Sequence, residues 1–250
     1  MLGDPLFYAV AVPAVLFAGI SKGGFGSGAA FAATPILALI VDPGVALGVM
    51  LPLLMLMDLA SLRPYWRKWS WPDARLLLIG GVPGVVLGAA LWRVAPDDLI
   101  RLLIAVVSLA FVAWQVSAPW RRTPKIVRSI SGRLGLAAGL VAGFTSFVSH
   151  AGGPPVAVYL LARGLTKSQY QATTVLLFWA LNIAKAVPYG MLGIFTAETL
   201  LVDLALAPVA LLGTWLGVVA HRAVPERLFF GLTYALLTGA GLKLLWDVLT

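Results

Sequence analysis

The sequence has no cysteine and only two histidines among its 250 residues. Disulfide bonds, thiolate metal sites and cysteine nucleophiles are therefore excluded, and a transition-metal site is not expected. Charged residues are also scarce, at 11% of the chain, which is too few for a soluble domain with a hydrated surface. These absences predict a protein that uses no metal or cofactor and does not fold in water.

Apolar residues are abundant instead. They make up 60% of the chain, and the mean hydropathy is +0.95. These values predict an all-α polytopic membrane protein whose first partner is the lipid bilayer. The net charge of +8 would suggest nucleic acid binding in a soluble protein, but here it indicates basic cytoplasmic loops. Nucleic acid is not expected as a partner.

Ten apolar segments form two series of five. The last three of each series have roughly the 20 residues needed to cross about 30 Å of hydrocarbon, whereas the first two are short. Each short pair flanks a glycine-rich stretch. In chain order the segments are 5–20, 29–41, 45–62, 76–92, 99–116, 134–148, 156–162, 170–189, 200–220 and 228–248.

The two series resemble each other late in each half. Residues 88–96 read GAALWRVAP and residues 217–225 read GVVAHRAVP, with glycine, arginine and proline at identical spacing and an acid following each. Chance similarity between apolar helices is the alternative. The match favours an internal duplication, which is common in secondary transporters.

Loop charges predict the orientation of the halves. Basic residues concentrate in 63–75 and 117–133, so both loops are expected in the cytoplasm. Corresponding loops then fall on opposite sides, which makes the repeats inverted and places both termini outside. We predict a first repeat (1–116), a basic linker (117–133) and a second repeat (134–250). Each repeat has a short broken or re-entrant helix pair followed by three full transmembrane helices; whether the short pairs return or cross is left open.

The two glycine-rich stretches are the candidate site. Residues 21–35 read SKGGFGSGAAFAATP, and residues 145–155 read TSFVSHAGGPP. Non-helical backbone at membrane depth requires an internal polar cavity. Helices resuming after each break would present N-terminal amides and positive dipole ends there, which predicts a small oxyanion as ligand. The residues expected to bind it are Lys22, Gly23, Gly24, Gly26, Ser27, Gly28, Thr34, Ser146, Ser149, Gly152 and Gly153.

Four further polar residues are candidates for coupling to protons. They are Asp58, His150, Asn182 and Lys185. Three of them have a plainer interpretation: Asp58 pairs with a nearby lysine or arginine, His150 bonds a backbone carbonyl, and Lys185 lies at an interface close to the Pro188 end of its helix. Ionisable residues within membrane segments are functional candidates by default.

The segments KGGFGSG…TP and SHAGGPP, in paired halves joined by a basic linker, resemble the TauE/SafE family of membrane permeases. The resemblance covers essentially the whole chain. It implies export of sulfite, sulfonates or related organosulfur anions across the bacterial cytoplasmic membrane by secondary transport. By motif match, the family's presumed site falls on Lys22, Gly23, Gly24, Gly26, Ser27, Gly28, Pro35, His150, Gly152, Gly153, Pro154 and Pro155.

The expected function is therefore a multi-pass permease that moves a small oxyanion by alternating access, with no catalytic residues. An uncoupled anion channel or uniporter is the first alternative. An integral membrane enzyme acting on a phosphate-bearing substrate is the second, but the chain lacks both a GxxxxGK[ST] loop and a carboxylate cluster at depth. The exact anion, the coupling ion and the oligomeric state, with a homodimer as one option, are left open.

Overall fold

The chain folds into a bundle of α-helices. A computed structural model describes residues 2–25, 30–117, 131–220 and 226–250, and within these ranges it contains no strand. Eight of the described helices are long and apolar enough to span a membrane, which confirms the predicted all-α polytopic class. The α-helices are α1 Pro5–Ile20, α2 Ala33–Leu37, α3 Pro43–Leu62, α4 Trp71–Trp92, α5 Asp97–Val116, α6 Gly132–Ser149, α7 Gly153–Ala162, α8 Lys167–Met191, α9 Ala197–Ala220 and α10 Glu226–Leu249.

Helix starts follow local signals in the sequence. Asp4 caps α1 by accepting a hydrogen bond from the backbone N–H of Leu6 at 2.9 Å. Thr166 and Gln169 form a capping box at the start of α8. Proline occupies the first turn of several helices, where its missing N–H is not needed. These signals mark where several of the predicted segments begin as helices.

Helix α1 has its predicted bounds but continues into a further turn, and α6 is longer than its predicted segment, 134–148. Five residues, Ser21–Phe25, continue α1 as a π-helical turn, and a short 3-10 turn, Ala30–Ala32, precedes α2. Both α1 with its π-helical turn and α6 are long enough to span a membrane. In each pair, only the second helix, α2 or α7, is too short to span a membrane.

The second-half pair forms an antiparallel hairpin. A Cβ atom on Gly135, near the start of α6, would lie 2.9 Å from the ring of Tyr159, near the end of α7. A Cβ atom on Gly152 would lie 2.8 Å from the carbonyl oxygen of Ala142, which places the start of α7 beside the middle of α6. The pair therefore goes in along α6 and returns along α7 to the end where it began.

The first-half pair also begins and ends at one end of the bundle. This end is opposite to the one at which α6 begins. The backbone N–H of Leu2 bonds the carboxylate of Glu198, at the start of α9. Gly48, early in α3, packs against the carbonyl oxygen of Ile194, in the turn before α9. The connection between α1 and α3 thus returns to the end from which α1 starts. At the opposite end, Ser70 bonds Thr173 near the start of α8.

Glycines join the two halves through close helix contacts. Helix α6 packs on α4, and α1 packs on α9. A Cβ atom on Gly143 would lie 2.0 Å from the carbonyl oxygen of Gly81, and one on Gly24 would lie 2.3 Å from that of Gly217. Small residues at such contacts are typical of membrane helix pairs. Under the predicted repeat, α1 corresponds to α6 and α9 to α4, so the two helix pairs are equivalent, which supports the repeat as a proposal. Linker residues 118–130 lie outside the described ranges.

A buried carboxylate ties α4 to the α6–α7 hairpin. Asp73 is 1% exposed and accepts hydrogen bonds from the Tyr159 hydroxyl at 2.8 Å, Arg163 Nε at 2.7 Å and the Ser70 hydroxyl at 2.6 Å. The charge of Asp73 thus holds the returning end of α7 against the start of α4.

Replacing Asp73 with asparagine is expected to lower the free energy of unfolding by about 2 kcal/mol, because hydrogen bonds to a charged group are stronger than neutral ones. Thermal unfolding of the purified protein in detergent measures the change. Asp97→Asn, at an exposed position in the first turn of α5, serves as the control and should leave the melting temperature unchanged. Equal melting temperatures for both variants would show that the Asp73 cluster does not stabilise the fold.

Candidate functional site

Lys22 lies in the π-helical turn that extends α1, at the start of the first glycine-rich stretch. It is 5% exposed, and its ammonium forms a salt bridge with the carboxylate of Asp58 on α3. The Lys22 ammonium also donates to the carbonyl oxygen of Leu54 at 3.4 Å. Single π turns within helices frequently occur at functional sites. The turn here sets the position from which Lys22 reaches α3.

Asp58 links three parts of the bundle. One carboxylate oxygen pairs with Lys22, and the other accepts from the side-chain amide of Asn182 on α8 at 2.7 Å. Gln171, one turn into α8, donates to the backbone carbonyl of Lys22 at 3.2 Å. Both oxygens of Asp58 are therefore occupied, and the π-helical turn is held against α8 at two points.

Lys185 forms a second cluster with the second glycine-rich stretch. It is fully buried, and its ammonium lies 3.0 Å from both the carbonyl oxygen and the hydroxyl of Ser146 and 2.8 Å from Nδ1 of His150. His150 Nε2 lies 3.4 Å from the carbonyl oxygen of Leu47. Because a carbonyl can only accept, Nε2 carries the proton and Nδ1 accepts from Lys185. Lys185 thus has three acceptors for its three protons.

His150 owes its position to an unusual backbone conformation. Its φ of 56° is left-handed, and its N–H bonds the carbonyl oxygen of Ser146 at 3.0 Å as α6 ends. Left-handed residues commonly end helices, although glycine is the usual choice. The turn directs the imidazole between α3 and α8.

The two clusters face one small cavity. Its volume is about 10 Å³, the space of about one water molecule. Its walls combine polar groups from both clusters with two phenylalanine rings. The lining residues are Lys22, Ala30, Phe31, Leu54, Ser146, His150, Phe178 and Asn182. Because an oxyanion with three or more oxygens is several times larger than a water molecule, this conformation is closed around the site.

The buried clusters contain more basic than acidic side chains. They contain two lysines, Lys22 and Lys185, and one carboxylate, Asp58. Buried charges are stable only when they are paired or compensated. Lys22 has three N–H donors and two acceptors among the described residues. An anion placed in the cavity would supply the missing negative charge and the missing acceptor.

Among the other predicted binding residues, several lie away from this cavity. Gly23 and Gly24 pack against the backbone of α9, and Pro154 and Pro155 line an apolar groove on the outside of the bundle. Ser149 donates to the carbonyl oxygen of Thr145 within its own helix.

The remaining predicted residues are either buried near the site or not described. Gly152 packs against Phe178 and Ser146, which line the cavity, and Gly153 begins α7. Thr34 and Pro35 are buried in α2. Gly26, Ser27 and Gly28 lie outside the described residues.

All four coupling candidates belong to the two clusters, and three plainer interpretations can be compared with the structure. His150 bonds a backbone carbonyl, that of Leu47, as its plainer interpretation expected. Lys185 is fully buried rather than interfacial. Asp58 pairs with a lysine, as its plainer interpretation expected. Within the described ranges no group of three histidine, cysteine or acidic side chains could hold a metal ion, so no metal centre is assigned.

Sequence reasoning missed the apolar walls and the backbone contacts of the site. Phe31 and Phe178 are ordinary apolar residues in their segments, and Leu54 contributes only a carbonyl oxygen. No sequence pattern distinguishes such residues from core residues. Gln171 was detectable as a polar residue in an apolar segment, although its partner was not.

Comparison with known proteins covers nearly the whole chain. Residues 11–244 match the family model described as Sulfite exporter TauE/SafE. No curated protein and no solved structure matches the chain. The family match includes both glycine-rich stretches and all four coupling candidates. The chain therefore belongs to the sulfite exporter TauE/SafE family.

Proposed function

We propose that this protein exports sulfite or a related small organosulfur anion by alternating access around the cavity between its halves. The observation that carries the proposal is the excess of lysine over carboxylate side chains beside that cavity, Lys22 and Lys185 against Asp58. Family membership and the eight membrane-spanning helices make the chain a transporter rather than an enzyme.

A small oxyanion matches the donors around the cavity. Lys22 offers an ammonium proton, and Asn182 offers the second proton of its amide beside the one given to Asp58. The hydroxyl of Ser146 accepts from Lys185 and keeps its own proton to donate. Sulfite and sulfonate groups present several acceptor oxygens around one centre, so they can engage donors from both halves at once.

Alternating access fits a cavity that is closed in this conformation. A conducting anion channel would need a continuous open path across the bilayer, whereas this cavity has room for about one water molecule. The cavity lies between α1 with its π-helical turn, α3, α6 and α8. Movement of one half against the other would enlarge it first toward one side and then toward the other.

The orientation follows from charge. Arg63, Arg67, Lys68, Arg163 and Lys167 lie at the end of the bundle that contains Asp73. We place this end in the cytoplasm of the bacterial inner membrane. Outward movement of one negative charge then gains about 2.3 kcal/mol per 100 mV of negative-inside potential. The potential alone would therefore favour export.

Proteoliposomes provide the test of this function. Vesicles containing the purified protein are expected to exchange labelled sulfite across the membrane at a rate well above that of empty vesicles. Unlabelled sulfonate should compete because it presents the same oxygens, whereas phosphate monoesters and divalent metals should not. If sulfite flux equals that of empty vesicles while a different solute is transported, the proposed substrate is wrong.

A further inference from the structure

One buried carboxylate outside the two clusters has no partner. Asp203, in α9, is 6% exposed, and neither of its oxygens has a hydrogen-bond partner among the described residues. The two other buried aspartates behave differently. Asp58 is bound by Lys22 and Asn182, and Asp73 accepts three hydrogen bonds. Among the described buried aspartates, Asp203 is therefore the one whose carboxylate accepts no hydrogen bond.

The surroundings of Asp203 are apolar. Its neighbours on the same face of α9, Val202 and Leu206, belong to a core cluster that includes Phe7 of α1 and Met50 of α3. Helix α9 packs on both α1 and α3. Asp203 lies about one and a half turns from Glu198, and thus in the half of the bundle that we place toward the outside.

Other titratable groups lie on α9 and on the elements that pack against it. On α1 and its π-helical turn, Asp4 caps the helix, Tyr8 is partly buried, and Lys22 pairs with Asp58 of α3. Asp42, which precedes α3, pairs with Arg101. On α9 itself, Glu198 bonds the backbone of Leu2. None of these groups donates to Asp203.

We infer that Asp203 binds the proton that couples anion movement, and that Asp58 holds Lys22 in position instead. An ionised carboxylate without a partner is costly at membrane depth, and a proton removes that cost. Sodium would need several oxygen ligands, yet within the described part of the chain Asp203 belongs to no group of three or more acidic, histidine or cysteine side chains that could hold a metal ion. A proton needs only the single carboxylate.

The position of α9 explains how this proton could affect the anion site. Gly213 and Gly217 of α9 pack against the backbone of α1 and its π-helical turn, which carries Lys22. When water reaches Asp203, the carboxylate can release its proton and become charged, and it must regain a proton before it is enclosed again. The packing of α1 and its π-helical turn on α9 then governs both whether Asp203 is enclosed and whether the site at Lys22 is closed. The inference rests on the proposed function.

The experiment compares Asp203→Asn with wild type in proteoliposomes at zero membrane potential, set by potassium and valinomycin. For one proton per anion, each unit of imposed pH gradient should change the wild-type accumulation ratio of labelled sulfite about tenfold. Empty vesicles give the passive redistribution of sulfite, which is subtracted. Asp203→Asn should respond by less than about twofold, while it still exchanges sulfite down its gradient. Asp98→Asn, an exposed acid at the start of α5, should behave like wild type.

The outcomes separate this inference from the proposed function. If wild type transports sulfite without responding to the pH gradient, if a sodium gradient replaces the proton gradient, or if Asp203→Asn responds like wild type, the inference is overturned and the exporter stands. If wild type does not transport sulfite, the proposed function fails, and the inference fails with it. Asp203→Ser, which also lacks a titratable group, replaces the asparagine variant if that variant does not fold.

Discussion

Replacing Lys22 with methionine is expected to abolish sulfite transport. Methionine keeps most of the length and apolar stem of lysine but removes the charge next to the cavity. Truncating one partner of a buried charge pair typically costs about 2–5 kcal/mol, so the transport rate should fall by at least about 30-fold. Flux of labelled sulfite in proteoliposomes, normalised to the amount of folded protein, measures this loss.

The same substitution is expected to lower stability. It leaves the carboxylate of Asp58 buried with Asn182 as its remaining partner. Removing one partner of a buried ion pair destabilises by about 3–5 kcal/mol, which should appear as a large drop in melting temperature. Lys243→Met is the matched control, because Lys243 pairs with Asp247 on the exposed surface of α10. A surface pair contributes about 0–1 kcal/mol, so this control should keep near-normal stability and transport.

Replacing Gly143 with alanine is expected to separate α6 from α4. The added Cβ atom would lie 2.0 Å from the carbonyl oxygen of Gly81 and 3.0 Å from its Cα atom, and backbone cannot move aside as a side chain can. Overpacking a close contact costs about 1–3 kcal/mol and occasionally more, and a backbone clash lies at the upper end. The variant should have a lower melting temperature than wild type and should elute with aggregated protein in size-exclusion chromatography.

Gly239→Ala is the control for this change. A Cβ atom at Gly239, on the exposed face of α10, would meet nothing within 4 Å. Alanine is favoured over glycine within a helix by about 1 kcal/mol, so the control should be neutral or slightly stabilised. Equal behaviour of the two variants would show that the α4–α6 contact is looser than the structure indicates.

The sequence predicted the helices well because each one carries its own signals. Apolar runs, a proline at Pro5 and Pro43, and the capping residues Asp4 and Thr166 are all local features. The extension of α1 into a π-helical turn has no such signal, because lysine and glycine at 22–24 are also compatible with a break. Backbone geometry of this kind depends on packing against α9, which the local sequence does not specify.

The candidate site was predicted as a set of residues but not as a set of contacts. Lys22 and Asp58 are 36 residues apart, and Asn182 is 124 residues from Asp58, so their network depends on how the halves pack. Their roles in binding and coupling remain predictions. Asp203 was detectable as an acid within the apolar segment 200–220, but its lack of a partner is visible only once α1 and α3 pack around it.

The most direct measurement of the central claim is sulfite flux through the double variant Lys22→Met/Asp58→Asn. Removing both charges of a buried ion pair leaves neither of them uncompensated, so this protein should melt closer to wild type than Lys22→Met alone. Without the Lys22 charge, flux should nevertheless stay at the level of empty vesicles. A well-folded double variant that transports sulfite at the wild-type rate would show that the buried charge of Lys22 does not bind the anion.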